Sequence, residues 1–258
     1  MMHNPTQRFS DRVANYVRFR PNYPQTILPY LVEQCGLTAQ HIVCDVGSGT
    51  GKLSQLFVEF GCTVIGVEPN EPMRLAAEAL FAGEDRFVSV AGSAEQTGLD
   101  GDSADFIIAG QAFHWFDPTL AQREFERILR PNGWVGLIWN ERLQTDPFQR
   151  AYDQFLHQHA INYHQVNHRN ITIERINDFF TPHAVSLATF DYTQTFDLAA
   201  LTGRALSSSY TPNPSHPQHT TFIEELDRLF EMHQVDGFVQ FNYATKLFYG
   251  QLAKQRAY

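Results

Sequence analysis

The chain has 258 residues, 43% of them hydrophobic and 18% charged, which is enough apolar material for a core and too little charge for a disordered chain. A net charge of −9 argues against broad, charge-driven binding to nucleic acid or anionic membranes. No apolar run approaches the ~20 residues that span a bilayer, and the opening MMHNPTQRFSDR lacks the apolar stretch of a secretion signal, so a soluble, cytoplasmic protein is expected. Cys35, Cys44 and Cys62 show no CxxC spacing and read as reduced thiols.

Residues 1–30 read as an arm. Near its start Arg8, Arg12, Arg18 and Arg20 face one acid, Asp11. Arg18 and Arg20 stand among Tyr16, Phe19, Pro21 and Tyr23, whose contacts would fix the backbone, and such an arm suits closure over a pocket that holds a carboxylate. Ile42 to Val46 is the first expected strand. Beyond Gly51, Leu53, Leu56, Phe57 and Phe60 fall at i, i+3, i+4 and i+7, the spacing of one buried helical face. Thr63 to Val67 is a second strand, followed by a helix capped by Asn70, with Glu71 and Pro72 in its first turn, that runs to about Phe81. Arg86 to Val90 and Asp105 to Ala109 are the third and fourth strands. Asp117 and Pro118 start a helix bearing Phe125, Ile128 and Leu129, and the turn Pro131-Asn132-Gly133 opens a fifth strand, Trp134 to Trp139. Strands alternating with amphipathic helices predict a parallel sheet covered by helices.

Beyond residue 142 the alternation ends. Two strand-like runs, Val185 to Phe196 and Val239 to Tyr249, are expected to pair antiparallel. Between them lie a helical segment, Leu198 to Ser208, a break through Pro212, Pro214 and Pro217, and a helix bearing Phe222, Ile223, Leu226, Leu229 and Phe230, read together as a cap over residues 198–237.

The turn after the first strand reads Asp45-Val46-Gly47-Ser48-Gly49-Thr50-Gly51, a GxGxG spacing; the GxGxxG of a dinucleotide fingerprint would need glycine where Lys52 stands. Asp45, at the buried end of a strand, would repel a pyrophosphate and suits a cationic ligand. Glu68 lies about 20 residues past the first glycine, where an acid can bridge ribose hydroxyls. This set resembles the class I S-adenosylmethionine-dependent methyltransferases. The resemblance implies an α/β, Rossmann-like methyltransferase fold, a seven-stranded, mostly parallel sheet with an antiparallel final hairpin and a helical cap insertion, in a single domain over 1–258 with its cofactor-binding core at 36–142. It implies S-adenosylmethionine as cofactor, held by Asp45, Gly47, Ser48, Gly49 and Gly51, with Glu68 on the ribose, Pro69 and Met73 beside the adenine, Ala94 and Glu95 at the adenine edge, Gly110 and Gln111 near the methionine ammonium, and Arg20 reaching from the arm.

The stretch Gln111-Ala112-Phe113-His114-Trp115-Phe116, the element Tyr16…Arg20-Pro21-Asn22-Tyr23-Pro24 and Ser207-Ser208-Ser209-Tyr210 are similar to the branch containing trans-aconitate and other small-molecule methyltransferases. That likeness implies methyl transfer to a small-molecule acceptor, with a carboxylate oxygen as one candidate, and an acceptor wall of Tyr16, Tyr23, Phe113, Trp115, Trp139, Ser209 and Tyr210. His114 is the candidate general base, weighed evenly against a loop-bracing role; an ionised carboxylate acceptor needs no base. The alternatives are a nicotinamide-dependent oxidoreductase, which the spacing and Asp45 disfavour, and a non-catalytic S-adenosylmethionine-binding protein. His157, His159, His164 and His168 raise the question of a metal, but no acid or cysteine completes a ligand pattern with them, so no metal is expected. Composition leaves the oligomeric state open.

Overall fold

Ile42–Val46 is β1, fully buried after its first residue, and it feeds through the glycine turn into helix α2, Lys52–Phe60. The computed structural model containing these elements describes residues 17–161, 163, 172–208 and 210–252. Tyr16, Ser209, Arg8, Arg12, His164 and His168 lie outside the described residues. Ahead of β1 comes α1, Ile27–Cys35, which buries Ile27 and Leu31 against α2. Beyond α2 the chain runs through β2 (Thr63–Val67), α3 (Glu71–Leu80), β3 (Phe87–Val90), β4 (Ala104–Gly110), a 3-10 turn at Phe113–Trp115, α4 (Pro118–Ile128) and β5 (Leu129–Arg142). The caps work as their residue types require: the Asn70 side chain accepts from the Met73 amide, and Asp117 accepts from those of Thr119 and Leu120. The second half contains α5 (Pro147–His159), α6 (Ile173–Phe180), β6 (Ser186–Phe196), α7 (Leu198–Leu206), α8 (His219–His233) and β7 (Val239–Gly250).

The strands form one seven-stranded sheet in the order β3-β2-β1-β4-β5-β7-β6, parallel from β3 to β5, with β7 antiparallel to both β5 and β6. The order reverses between β1 and β4, which opens a crevice at their carboxyl ends. Two apolar layers cover the parallel part, one around Phe113, Phe125 and Phe179, the other around Phe57, Phe106 and Ile138.

Two features depart from the sequence reading. First, β5 exceeds Trp134 to Trp139 at both ends, and the Pro131-Asn132-Gly133 corner sits inside it, with a register irregularity opposite Ala104/Phe106. Its last pairing with β4 is Gly110 with Ile138, so Trp139 to Arg142 run on past β4, a reach of about 13 Å at strand rise. The antiparallel β7 accompanies this extension, with Arg142 opposite Tyr243. Second, the segment between β5 and β6 is helical where no element was expected. Helix α5 packs its buried Phe148, Tyr152, Phe155 and Leu156 with Leu201 of α7, Phe222 and Leu226 of α8 and Phe241 of β7 in a third apolar cluster. The two insertion helices thus share their core with α5 above the extended strands.

The arm docks on this cluster. A side chain at Gly203 of α7 would run into the ring of Phe19, so the glycine permits that close approach. Arg20 Nη2 donates to Ser207 O at 3.2 Å and Ser208 Oγ at 3.4 Å, at the carboxyl end of α7.

Candidate active site

A cavity of about 600 Å³ opens at the carboxyl ends of β1, β2, β4 and β5, between the arm and the insertion helices. Its wall brings together Arg20, Tyr23, Asp45, Gly47, Ser48, Gly49, Glu68, Pro69, Met73, Ala94, Glu95, Gly110, Gln111, His114, Trp115, Trp139 and Tyr210, most of the residues that the sequence singles out. Two of them stay out of it. Gly51, in the left-handed region at φ 82°, caps α2, and a Cβ there would strike Phe81 at 2.6 Å, so helix packing accounts for this glycine. Phe113 is fully buried in the core, edge-on to Phe116, Phe179 and Trp139, because the 3-10 turn aims it beneath the sheet end.

On the β1 and β2 side, Glu68 Oε2 accepts from the Gly49 amide at 2.9 Å and Oε1 from the Asn70 amide at 2.8 Å. Burial raises its pKa, and those two amides, with Arg74, work against the rise. Asp45 is completely buried; its Oδ2 accepts from Ser54 Oγ at 2.6 Å, and Oδ1 has no partner among the described residues. Burial pushes its carboxyl up to about 7; the Ser54 hydrogen bond opposes this and the Glu68 charge adds to it. An orphaned buried carboxylate oxygen beside an acid at the end of β2 fits a ligand that offers a cation and a diol, which S-adenosylmethionine does. Lys52 reaches the same wall, its amine pushed down to about 8 by burial, and donates to Asn22 Oδ1 of the arm at 3.0 Å.

At the end of β4, Gln111 holds a positive φ of 56°, a conformation costly for a residue with a side chain. Its amide donates to Ile138 O and its Nε2 to Asn140 O at 3.1 Å. Asn140 also donates through Nδ2 to Asn22 O and accepts from Thr245 Oγ1 at 2.6 Å, tying the arm, β4, β5 and β7 together. His114 lies beside Trp115, ring centroids 4.7 Å apart, and burial, with the nearby Arg175 charge, pushes its imidazole down to about 4. Glu95 accepts from the Asp117 amide at 2.9 Å and thereby braces the start of α4.

The side of the cavity toward the insertion holds residues that the sequence reading passes over: Arg142, Tyr163, Arg204 and Tyr243. Arg142 Nη2 donates to Asp153 Oδ1 at 3.0 Å and Tyr163 OH at 3.3 Å, and its guanidinium lies over the Tyr152 ring, 4.8 Å from the centroid. Arg204 is buried, and its Nη1 donates to Ser208 Oγ at 3.2 Å. Burial would raise the Tyr210 phenol, but the charges of Arg204, Arg142 and Arg20 bring it below its ordinary value. The signal for Arg204 is present in the sequence as a lone arginine in the apolar helix Leu198–Leu206.

Among the described residues, no group of three or more His, Cys, Asp or Glu is placed to hold a metal ion, and no helix is long and apolar enough to cross a membrane. His157 pairs with Asp153 at 3.4 Å, and His159 stacks on Phe155.

Comparison with known proteins agrees with this geometry. Residues 44–137 match the family described as "Methyltransferase domain". A relative described as an uncharacterized methyltransferase, Rv3342 of Mycobacterium tuberculosis, is 40% identical over 134 residues, 52% of either chain, so the match spans about half the length of that relative. A proposed type II methyltransferase from Anaeromyxobacter dehalogenans superposes with a TM-score of 0.66 at 23% identity, covering 90% of this chain and 98% of that one. Phosphoethanolamine N-methyltransferase 2 of Haemonchus contortus, solved in complex with S-adenosylmethionine, does so at 0.56 and 15% identity, over 96% of this chain and 58% of that one. The chain therefore has the Rossmann-like methyltransferase fold, and residues 44–137, which hold the glycine turn, Glu68 and the carboxyl ends of β3 and β4, are similar to the methyltransferase-domain family.

Proposed function

We propose that the protein transfers the methyl group of S-adenosylmethionine to a small-molecule acceptor, and that the acceptor atom is a carboxylate oxygen. The observation that carries this reading is the single cavity joining the Gly47–Gly49 turn and Glu68 to the arginine-bearing side of the insertion. When bound, S-adenosylmethionine supplies an electrophilic methyl on a sulfonium. Asp45 and Glu68 provide the negative charge that a cationic ligand and its ribose hydroxyls call for. Gln111 and Asn140 fix the β4 and β5 ends between the two halves of the cavity. An ionised acceptor carboxylate would take that methyl group with the sulfur as leaving group, and would bring no proton for His114 to remove.

His114 supports the carboxylate reading by what it lacks. A base held down to about 4 is neutral at pH 7 and too weak to deprotonate a hydroxyl or ammonium efficiently, whereas a carboxylate arrives already ionised. Catalysis is then alignment and exclusion of water between the arm, Trp115 and the insertion. The likeness to the trans-aconitate branch is part of this proposal, as are the adenine-side roles of Pro69, Met73, Ala94 and Glu95 and an acceptor wall of Tyr23, Trp115, Trp139 and Tyr210. The test is incubation with labelled S-adenosylmethionine and a panel of carboxylates, phenols and amines, with products read by mass. Methyl esters are expected, and transfer confined to amines or phenols would overturn the carboxylate reading.

A further inference from the structure

We infer that Trp115, Trp139, Ile173, Ile176, Leu187 and Phe248 form an apolar lobe of the cavity that houses a hydrocarbon body of the acceptor, on the opposite face of the sheet from Arg142. The inference rests on the methyl-transfer reading and adds to it the acceptor class, an acid with one carboxylate and an alkyl or aryl body.

Three elements build the lobe. Side chains alternate across a strand, so Trp139 of β5 and Phe248 of β7 lie on the face that packs against α6, whereas Arg142 and Tyr243 lie on the face of the insertion. Leu187 of β6 stands directly opposite Phe248, and the Phe248 ring meets Trp139 edge-on, 5.7 Å between centroids. Helix α6 covers this face with Ile176, and Ile173, three residues earlier, lies on the same side of the helix one turn away. The 3-10 turn that bears Trp115 closes the third side, tied to α6 by Arg175 Nη2, which donates to Phe116 O at 3.0 Å. All six residues line the same cavity as the Gly47–Gly49 turn.

Exposure and charge indicate what fills it. Ile173, Leu187 and Trp115 are 60%, 49% and 41% exposed. A lone exposed aliphatic side chain is ordinary, but three at one cavity, continuous with Trp139, Ile176 and Phe248, make an apolar surface that gains free energy when it is covered. The charged residues of this face that line the cavity, Glu141 and Lys246, neutralise each other in an ion pair. A hydrocarbon group can be buried there with no polar atom left to satisfy. Continuity with the cofactor crevice makes that group part of the acceptor, because whatever sits in the lobe can be joined to the reacting end.

The experiment is calorimetric titration of the full chain, saturated with S-adenosylhomocysteine, with butyrate, hexanoate, octanoate and 4-phenylbutyrate, and with octanamide in place of octanoate. Octanoate and 4-phenylbutyrate are expected to bind about tenfold or more tighter than butyrate, from roughly two- to fourfold per buried methylene. Leu187→Ser and Ile173→Ser should each weaken octanoate about fivefold or more, with butyrate, S-adenosylhomocysteine and the thermal midpoint little changed, and Leu187→Met should restore most of the loss. Met232→Ser, at an exposed apolar position of α8 away from the cavity, should change none of these. Equal affinity from butyrate to octanoate, including no binding of any acid, overturns the lobe. So does a chain-length dependence that survives both serine substitutions, or one that Met232→Ser removes equally. A lower mass for Leu187→Ser by light scattering, with octanoate binding unchanged, overturns it too and gives the patch to a second copy of this chain. Methyl transfer to butyrate with a flat chain-length dependence removes the lobe alone, whereas tight octanoate and octanamide binding without methyl transfer to any acid removes the methyl-transfer reading alone.

Discussion

The carboxylate of Glu68 accepts the amide of Gly49 at 2.9 Å, so the acid that ends β2 and the turn that follows β1 are joined without a ligand. Glu68→Ala removes that tie and the charge offered to a ribose together. Binding of S-adenosylhomocysteine is expected to weaken by about 1.5–3 kcal/mol in calorimetry, and Glu68→Gln, which keeps an acceptor, by less. A loss of only a few tenths would take Glu68 off the ribose.

Asp45 makes binding depend on pH. Its carboxyl, pushed up to about 7 by burial, is largely protonated in mildly acidic solution, and a cationic ligand at its orphaned oxygen favours the ionised form. Binding therefore expels a proton below about pH 7, and affinity climbs with pH up to that point and then levels. The ligand-free chain shows the opposite trend in stability: between 3.8 and about 7 the unfolded chain has lost a proton that the native chain still holds, so stability falls as pH rises. Asp45→Asn should flatten both curves, remove binding and stabilise the ligand-free chain by roughly 1–3 kcal/mol above neutrality. Affinity that stays level from about pH 5.5 to about pH 8 would contradict this account.

His114, held down to about 4, is neutral across the working range, and its titration leaves no inflection in kcat between about pH 5 and pH 8. His114→Asn should cost less than about tenfold in kcat, where loss of a general base costs a hundredfold or more. A larger loss, with a pH profile that moves, would restore the base.

Arg20 works on the insertion through its bonds to Ser207 and Ser208. Arg20→Ala is expected to speed amide hydrogen exchange across residues 198–208 by about five- to thirtyfold, and ligand binding to slow it in the wild-type chain across 198–237. Unchanged exchange in both experiments would leave the arm and insertion as static parts of the wall.

Much of this arrangement is legible in the amino-acid order, because β1 to β4 are short apolar runs and α2 to α4 carry both periodicity and caps. Helix α5 is legible in principle. Asp146-Pro147 repeats the capping chemistry of Asp117-Pro118, and Phe148, Tyr152, Phe155 and Leu156 keep helical spacing, but the glutamines and histidines among them hide the buried face. The direction of Phe113 is not legible: a three-residue turn has no periodicity, and an aromatic there serves wall or core equally well. Nor is the meeting of Arg142 with Arg204, since a strand end and an insertion helix become neighbours only through the extension of β5 and β7 beyond the parallel sheet.

That extension gives the molecule two separately adjustable halves. The backbone holding the glycine turn and Glu68 is locked by pairings between β1, β2 and β4, whereas side chains at Asn140, Arg142 and Tyr243 hang from the antiparallel β5-β7-β6 ladder outside that lock. Replacing Arg142 and Tyr243 as a facing pair would change the side chains on one wall of the cavity and leave the pairings that hold the Gly47–Gly49 turn and Glu68 as they are, so the two walls can be altered independently of each other.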